Sequence, residues 1–275
     1  MKRPMNDRHE HTSGGTPVWI QGNSGVARAG TLICVHGVLM DHRMWAAQVA
    51  ALGCSWRMLS YDMLGHGGAP NLDGPRQLSD FTAQLHEVVT TFARDEKPVL
   101  AGFSMGGLVA QAYAIGHHAS LRGLVLLNTV YRRSAAESQV VRARYRSMAA
   151  AGVGAALVSA RTRWFTAADR AEHAHHMADI LRWIEEGEFA PKLKAHRVFA
   201  TSDVQCAGKL GVISCPALVM TGQDDAGSTP RMAATMAACI DGARLEVLSG
   251  QRHMMTVLDA ARVNRILTDF LSNLP

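Results

Sequence analysis

The sequence predicts an α/β fold: a doubly wound, mostly parallel sheet with an inserted helical cap. Three observations predict it. Short, almost wholly apolar runs recur along the chain, helical patterns lie between them, and this alternation stops once, between about residues 130 and 208.

The runs are TLICV (31–35), RMLSY (57–61), PVLAGF (98–103), GLVLLN (123–128), PALVMT (216–221) and ARLEVL (243–248). They are aliphatic, short and bounded by Gly, Pro or polar residues, as buried strands are. Near-continuous apolar character suits parallel strands covered on both faces. Helical patterns fall over Phe81 to Arg94, Met105 to His117, Pro230 to Ile240 and Leu258 to Leu271. Strand–helix alternation with right-handed crossovers gives the doubly wound sheet. The segment 130–208 is rich in Ala, Arg, His and Trp and shows no convincing strand, so it is expected to form the cap. The chain therefore divides into a flexible N-terminal tail (1–16), a core in two parts (17–129 and 209–275) and the cap between them.

Composition narrows the function classes. A chain of 275 residues, 48% hydrophobic and 19% charged, can bury a large core without staples. The net charge of +5 is scattered, with no Lys/Arg run, which argues against a nucleic-acid partner but suits attraction of an anionic small molecule. The five cysteines are odd in number and form no C-x-x-C pair, which suits free thiols in a reducing compartment. The opening MKRPMNDRHEHTSGG has no apolar core of a secretory signal, and no stretch approaches the ~18 apolar residues of a membrane span. The expectation is a cytoplasmic protein with a small-molecule substrate and no membrane partner; a homodimer remains open. His9 and His11 fall in the tail, where disorder is expected.

The chemistry centres on Gly102-Phe103-Ser104-Met105-Gly106, a G-x-S-x-G directly after one strand and directly before the helix MGGLVAQAYAI. A sharp strand-to-helix turn lifts the serine hydroxyl clear of the sheet and needs small neighbours two residues away. It also sets a helix N-terminus beneath the site, favouring developing negative charge. A serine hydroxyl needs a base, and the partners are expected in the order Ser, acid, His. His253, in GQRHM after the last strand, is the only histidine beyond position 196. The acid is expected in Gly222-Gln223-Asp224-Asp225, where Asp225 is favoured and Asp224 is the fallback. The other common acid position, after the preceding strand, holds Asn128, whose amide cannot stabilise an imidazolium as a carboxylate does. The oxyanion donors are expected to be the main-chain N–H groups of Met105 and of Val38, in His36-Gly37-Val38.

Taken together, the HG loop, Asp62-x-x-Gly65-His66-Gly67, G-x-S-x-G and the GQDD and GQRH loops resemble the α/β-hydrolase superfamily over nearly the whole chain after about residue 17. In that resemblance Asp62, Gly65 and Gly67 build a turn. GFSMGGLVAQ and Arg163-Trp164-Phe165-Thr166 are similar to the 3-oxoadipate enol-lactonase branch. Arg197-Val198-Phe199-Ala200-Thr201 and Asp225-Ala226-Gly227-Ser228-Thr229-Pro230 resemble relatives that cleave unsaturated, amide-bearing dicarboxylates. Met254-Met255 after the histidine departs from the enol-lactonases. Dehalogenases and epoxide hydrolases of this fold carry Asp at the elbow, so Ser104 argues against both.

The resemblance implies acyl transfer to Ser104, first from a small anionic enol-lactone or ester, second from an amidomethylene-succinate-type amide, third from a general carboxylester. Perhydrolase chemistry uses the same residues, and a non-catalytic ligand receptor is the reading of another class. Arg163 and Arg197 are candidates to clamp a substrate carboxylate bidentately, and Trp164 to line the pocket. His173, His175 and His176 lack a metal-binding pattern and suit a solvated face. No metal and no nucleotide cofactor is implied.

Overall fold

The computed structural model describes residues 8–22 and 28–275. Among the described residues, eight strands form one sheet in the order β1-β2-β4-β3-β5-β6-β7-β8. β1 (Arg8–His11) and β2 (Pro17–Gln21) run antiparallel to their neighbours. β3 (Thr31–Val35), α1 (Ala46–Leu52), β4 (Arg57–Tyr61), α2 (Leu78–Phe92), β5 (Val99–Phe103), α3 (Met105–His117) and β6 (Gly123–Leu127) follow. The cap is α4 (Ala135–Arg163), α5 (Ala167–Glu172), α6 (Ala174–Glu185) and α7 (Phe189–Thr201). β7 (Ala217–Gly222), α8 (Pro230–Cys239), β8 (Arg244–Leu248), α9 (Met255–Leu258) and α10 (Ala260–Ser272) close the core.

β3 to β8 pair in parallel. Every residue of β3, β5, β6 and β7 is buried, which is why these strands read as unbroken apolar runs. β8, at an edge, is half-covered. Helices pack because one stripe is apolar: α10 buries Val263, Leu267, Phe270 and Leu271, spaced one helical face apart.

The expected tail needs correction. Residues 8–11 form β1, with His9 opposite Trp19, and the His9 ring stacks on that indole at 4.7 Å. RHEH carries no apolar pattern because all four residues are exposed on the sheet edge; pairing with β2 makes the strand. Residues 1–7 lie outside the described residues.

In the cap, α4 is two arms. Gly152 has φ 69° and ψ −155°, a conformation suited to glycine, and breaks the helix between them. A reciprocal cap starts the first arm: Glu137 N donates to Ser134 Oγ at 3.2 Å, and Ser134 N donates to the Glu137 carboxylate at 2.6 Å. Among the described residues, no helix is long and apolar enough to cross a membrane.

Candidate active site

Ser104 stands between β5 and α3 with φ 54° and ψ −114°, a strained backbone for a non-glycine residue. Its surroundings impose that strain. Ser104 N donates to Leu127 O at 2.9 Å, and its carbonyl accepts the Thr129 hydroxyl at 2.7 Å. A Cβ on Gly106 would run into the carbonyls of Val35 and His36, and one on Gly102 into the main chain of Gly106. The two glycines of G-x-S-x-G are thus required by the closeness of the turn to its own helix and to the end of β3.

Three loops at the carboxyl ends of the strands meet at this serine. His253 Nε2 lies 3.1 Å from Ser104 Oγ, and His253 Nδ1 lies 2.7 Å from Asp225 Oδ2. The carboxylate fixes the tautomer: Nδ1 carries the proton, leaving Nε2 to accept from the serine. All three groups are buried. Asp225 Oδ1 accepts from Gly227 N at 2.8 Å and Ser228 N at 3.0 Å. Burial alone would raise the Asp225 carboxyl; the His253 charge and hydrogen bond, with those from Asn128 and Ser228, outweigh it and hold the group below the usual carboxylate range. The fallback, Asp224, is exposed, and its main chain merely bonds Gln251 O.

The Val38 loop is pinned by two buried imidazoles. His36 Nε2 accepts from Met63 N at 2.8 Å while Nδ1 donates to Gly37 O. His66 Nε2 accepts from Leu39 N at 3.0 Å while Nδ1 donates to Leu64 O. Burial keeps both neutral; His66 is pushed down to about 3, and His36 below its usual value. Gly37 packs within 2.9 Å of the Phe103 ring, counted from the Cβ it lacks. This sets Val38 on the wall of the cavity that Ser104 also lines. Met105 is the first residue of α3, where main-chain N–H groups lack an acceptor within the helix. Asp62 ties the turn after β4: it accepts from His42 N at 3.0 Å, His42 Nδ1 at 2.8 Å and Gly68 N at 2.9 Å. Gly67 lies so close that a Cβ would strike that carboxylate. Asp41, His42 and Asp62 are near enough to hold a cation, but Asp41 is engaged by Arg43 and Asp62 by His42 and Gly68.

Above Ser104 lies a cavity of about 210 Å³ between core and cap, with Arg133, Arg144, Arg163, Trp164, His196 and Phe199 on its cap side. Arg133 pairs with buried Asp203 at 2.9 Å. Among the described residues, no carboxylate pairs with Arg144 or Arg163 within 4.0 Å; Arg163 Nε donates to Ser159 Oγ at 3.1 Å. Burial, with the neighbouring Arg144 charge, pushes Arg163 down to about 9. Burial and the Arg133 charge push Arg144 down to about 10. Both guanidiniums stay charged at neutral pH, and the Asp225 carboxylate that acts on them lies beyond ion-pair distance.

Residues 32–266 match the alpha/beta hydrolase family. The chain belongs to that family. It is 29% identical to the (E)-2-((N-methylformamido)methylene)succinate hydrolase of Acinetobacter baylyi, over 89% of this chain and 91% of that one. It is 24% identical to 3-oxoadipate enol-lactonase 1 of the same species, over 91% and 92%. The crystal structure of the enol-lactonase from Burkholderia xenovorans superposes with a TM-score of 0.87 and 26% identity, covering 97% of this chain and 100% of that one.

Within this alpha/beta hydrolase, two candidates from the sequence lie together and one does not. Arg163 and Trp164 reach the cavity. Arg197 is a correction: it does not line the cavity, and its guanidinium donates to Arg76 O at 2.9 Å, joining α7 to the core. It lies one residue beyond His196, so the 3.6-residue period turns it about 100° away. Arg144 and His196 went unread. Arg144 lies three residues after buried Val141 and four before buried Met148, so a charge on an apolar helix face was the available signal. His196 is held neutral by burial and the surrounding arginines, pushed down to about 3, and its buried Nδ1 has no partner. His173, His175 and His176 lie at the junction of α5 and α6 and do not line the cavity.

Proposed function

We propose that this hydrolase cleaves a small dicarboxylate through an acyl-enzyme on Ser104. The observation that carries the reading is the hydrogen-bonded chain Ser104–His253–Asp225 at the floor of a cavity whose wall bears two half-buried arginines with no carboxylate within ion-pair distance. Arg144 and Arg163 bind the substrate carboxylates, and Trp164 and Phe199 enclose its carbon skeleton. His253 Nε2 takes the Ser104 proton as Oγ attacks the carbonyl. The main-chain N–H groups of Val38 and Met105 hold the oxyanion; in serine hydrolases one such donor contributes ~2.7–4 kcal/mol. Asp225 holds the Nδ1 proton and stabilises the imidazolium. His253 then protonates the leaving group, activates a water, and the acyl-enzyme is hydrolysed.

For the bond cleaved, the C–N bond of an unsaturated, amide-bearing dicarboxylate leads, supported by the relative named as a hydrolase of such a succinate. The second reading is an anionic enol-lactone, supported by the enol-lactonase relatives in sequence and structure. The five free cysteines support action in the reducing cytoplasm.

The test compares kcat/KM for an amidomethylene-succinate, a dicarboxylate enol-lactone and a neutral p-nitrophenyl ester, with Ser104→Ala as blank. Strong preference for the first, lost in the blank, is expected. Preference for the lactone selects the second reading. Best turnover of the neutral ester overturns both in favour of a general esterase.

A further inference from the structure

We infer that Asn128 is a positioning residue of this hydrolase, holding the Asp225 carboxylate toward His253 and drawing charge from the oxygen the two share. The inference rests on the reading of Ser104, His253 and Asp225 as the reacting groups.

Asn128 follows β6 and is fully buried. Its φ of 44° is unusual for a residue with a side chain, and asparagine tolerates it better than most. Its Nδ2 donates to Asp225 Oδ2 at 2.9 Å, the same oxygen that faces His253 Nδ1 at 2.7 Å. It also reaches Arg252 O, in the residue before His253, at 3.3 Å. Its main-chain N–H donates to Met220 O on β7 at 2.8 Å. One residue thus joins the loops that carry the acid and the base.

The amide can point only one way. Turning it over would place Oδ1 against the carboxylate, acceptor against acceptor. As it stands, Oδ1 is buried with no partner, a cost accepted in exchange for the donor on Asp225. Asp225 Oδ1 is held by main-chain groups, so Asn128 and His253 are its two side-chain partners. A carboxylate at position 128 would set two buried anions against each other; the amide gives a donor without charge.

The charged groups around the pair are few. Arg144 and Arg163 of the cap act on Asp225, and Phe103, Ser104 and Trp164 face His253. Removing the Asn128 donor leaves more negative charge on the shared oxygen, which favours the protonated imidazole. The free base that activates Ser104 then needs a higher pH.

The experiment follows the rate of Ser104 labelling by a fluorophosphonate against pH, for the native chain, Asn128→Ala, Asn128→Asp and the Ser104→Ala blank, with thermal melts on each. This probe needs no knowledge of the substrate. The acid limb is expected to move up by about 0.5–1 pH unit in Asn128→Ala and to stay nearer its native position in Asn128→Asp, where a carboxyl beside Asp225 retains a proton and donates it to the shared oxygen. An acid limb that stays in place or moves down in folded Asn128→Ala overturns the inference while leaving the catalytic reading intact. Labelling of the native chain that does not depend on Ser104 overturns both.

Discussion

The Trp164 indole stacks on the His253 imidazole, with ring centroids 5.6 Å apart and planes inclined by 28°. A cap residue thus covers the group proposed as the base. Arg252, beside it in sequence, fastens the same junction by donating to Thr162 O at 3.0 Å and Phe165 O at 2.8 Å. The indole forms part of the wall that separates the imidazole from water. Trp164→Ala is expected to lower kcat/KM by roughly 3–10-fold, the worth of one aromatic pair. Trp164→Phe is expected to keep most of the rate. Steady-state kinetics with a neutral ester checks this without involving the arginines.

Arg163→Gln removes one cavity cation and keeps much of the side chain's length. It is expected to reduce kcat/KM for a dicarboxylate by roughly 10–100-fold, the loss of one charge-assisted pair, and to leave the neutral ester within a few-fold. Equal losses on both substrates would mean that Arg163 shapes the cavity without binding a carboxylate.

His66 makes stability pH-dependent. Its imidazole is buried, accepts from Leu39 N and is pushed down to about 3 from 6.5. Below 6.5 the unfolded chain binds a proton that the folded chain refuses, so stability is fully present above 6.5 and falls as pH drops from there toward 3. The slope approaches ~1.4 kcal/mol per pH unit for a single such group. Thermal melts between pH 7 and 4.5 are expected to show falling stability, with a shallower fall in His66→Asn, which keeps an acceptor for Leu39 N and loses the titrating group.

Gly106→Ala tests the elbow. The added methyl would meet the Val35 and His36 carbonyls, main-chain atoms with little room to yield. The expected result is a loss of ~1–3 kcal/mol or failure to fold, measured by chemical denaturation. Gly154→Ala, in the cap where a Cβ meets nothing within 4 Å, is the control expected to fold normally.

The legible parts of the chain were those where local pattern and tertiary role coincide. β3, β5, β6 and β7 are buried on both faces, so their apolar runs announced them. Ser104 lay between a strand and a helix that were both readable. β1 was not legible, because an exposed edge strand of Arg, His and Glu has no apolar face and owes its form to β2. Arg144 and Arg197 show the limit from the other side. Both are cap arginines, but helix rotation turns one into the cavity and the other onto Arg76.

By itself, then, the sequence determined the six parallel strands β3 to β8, the alternation of helices between them and the strand-to-helix turn at Ser104, since each depends on residues close together or on simple periodicity. Tertiary structure alone decided which cations face the cavity, that Trp164 covers His253, and that Asn128 bonds Asp225. Asn128 and Asp225 are 97 residues apart and His253 and Ser104 are 149 apart. Contacts over such separations form only when sheet pairing brings the loops at the carboxyl ends of β5 to β8 together.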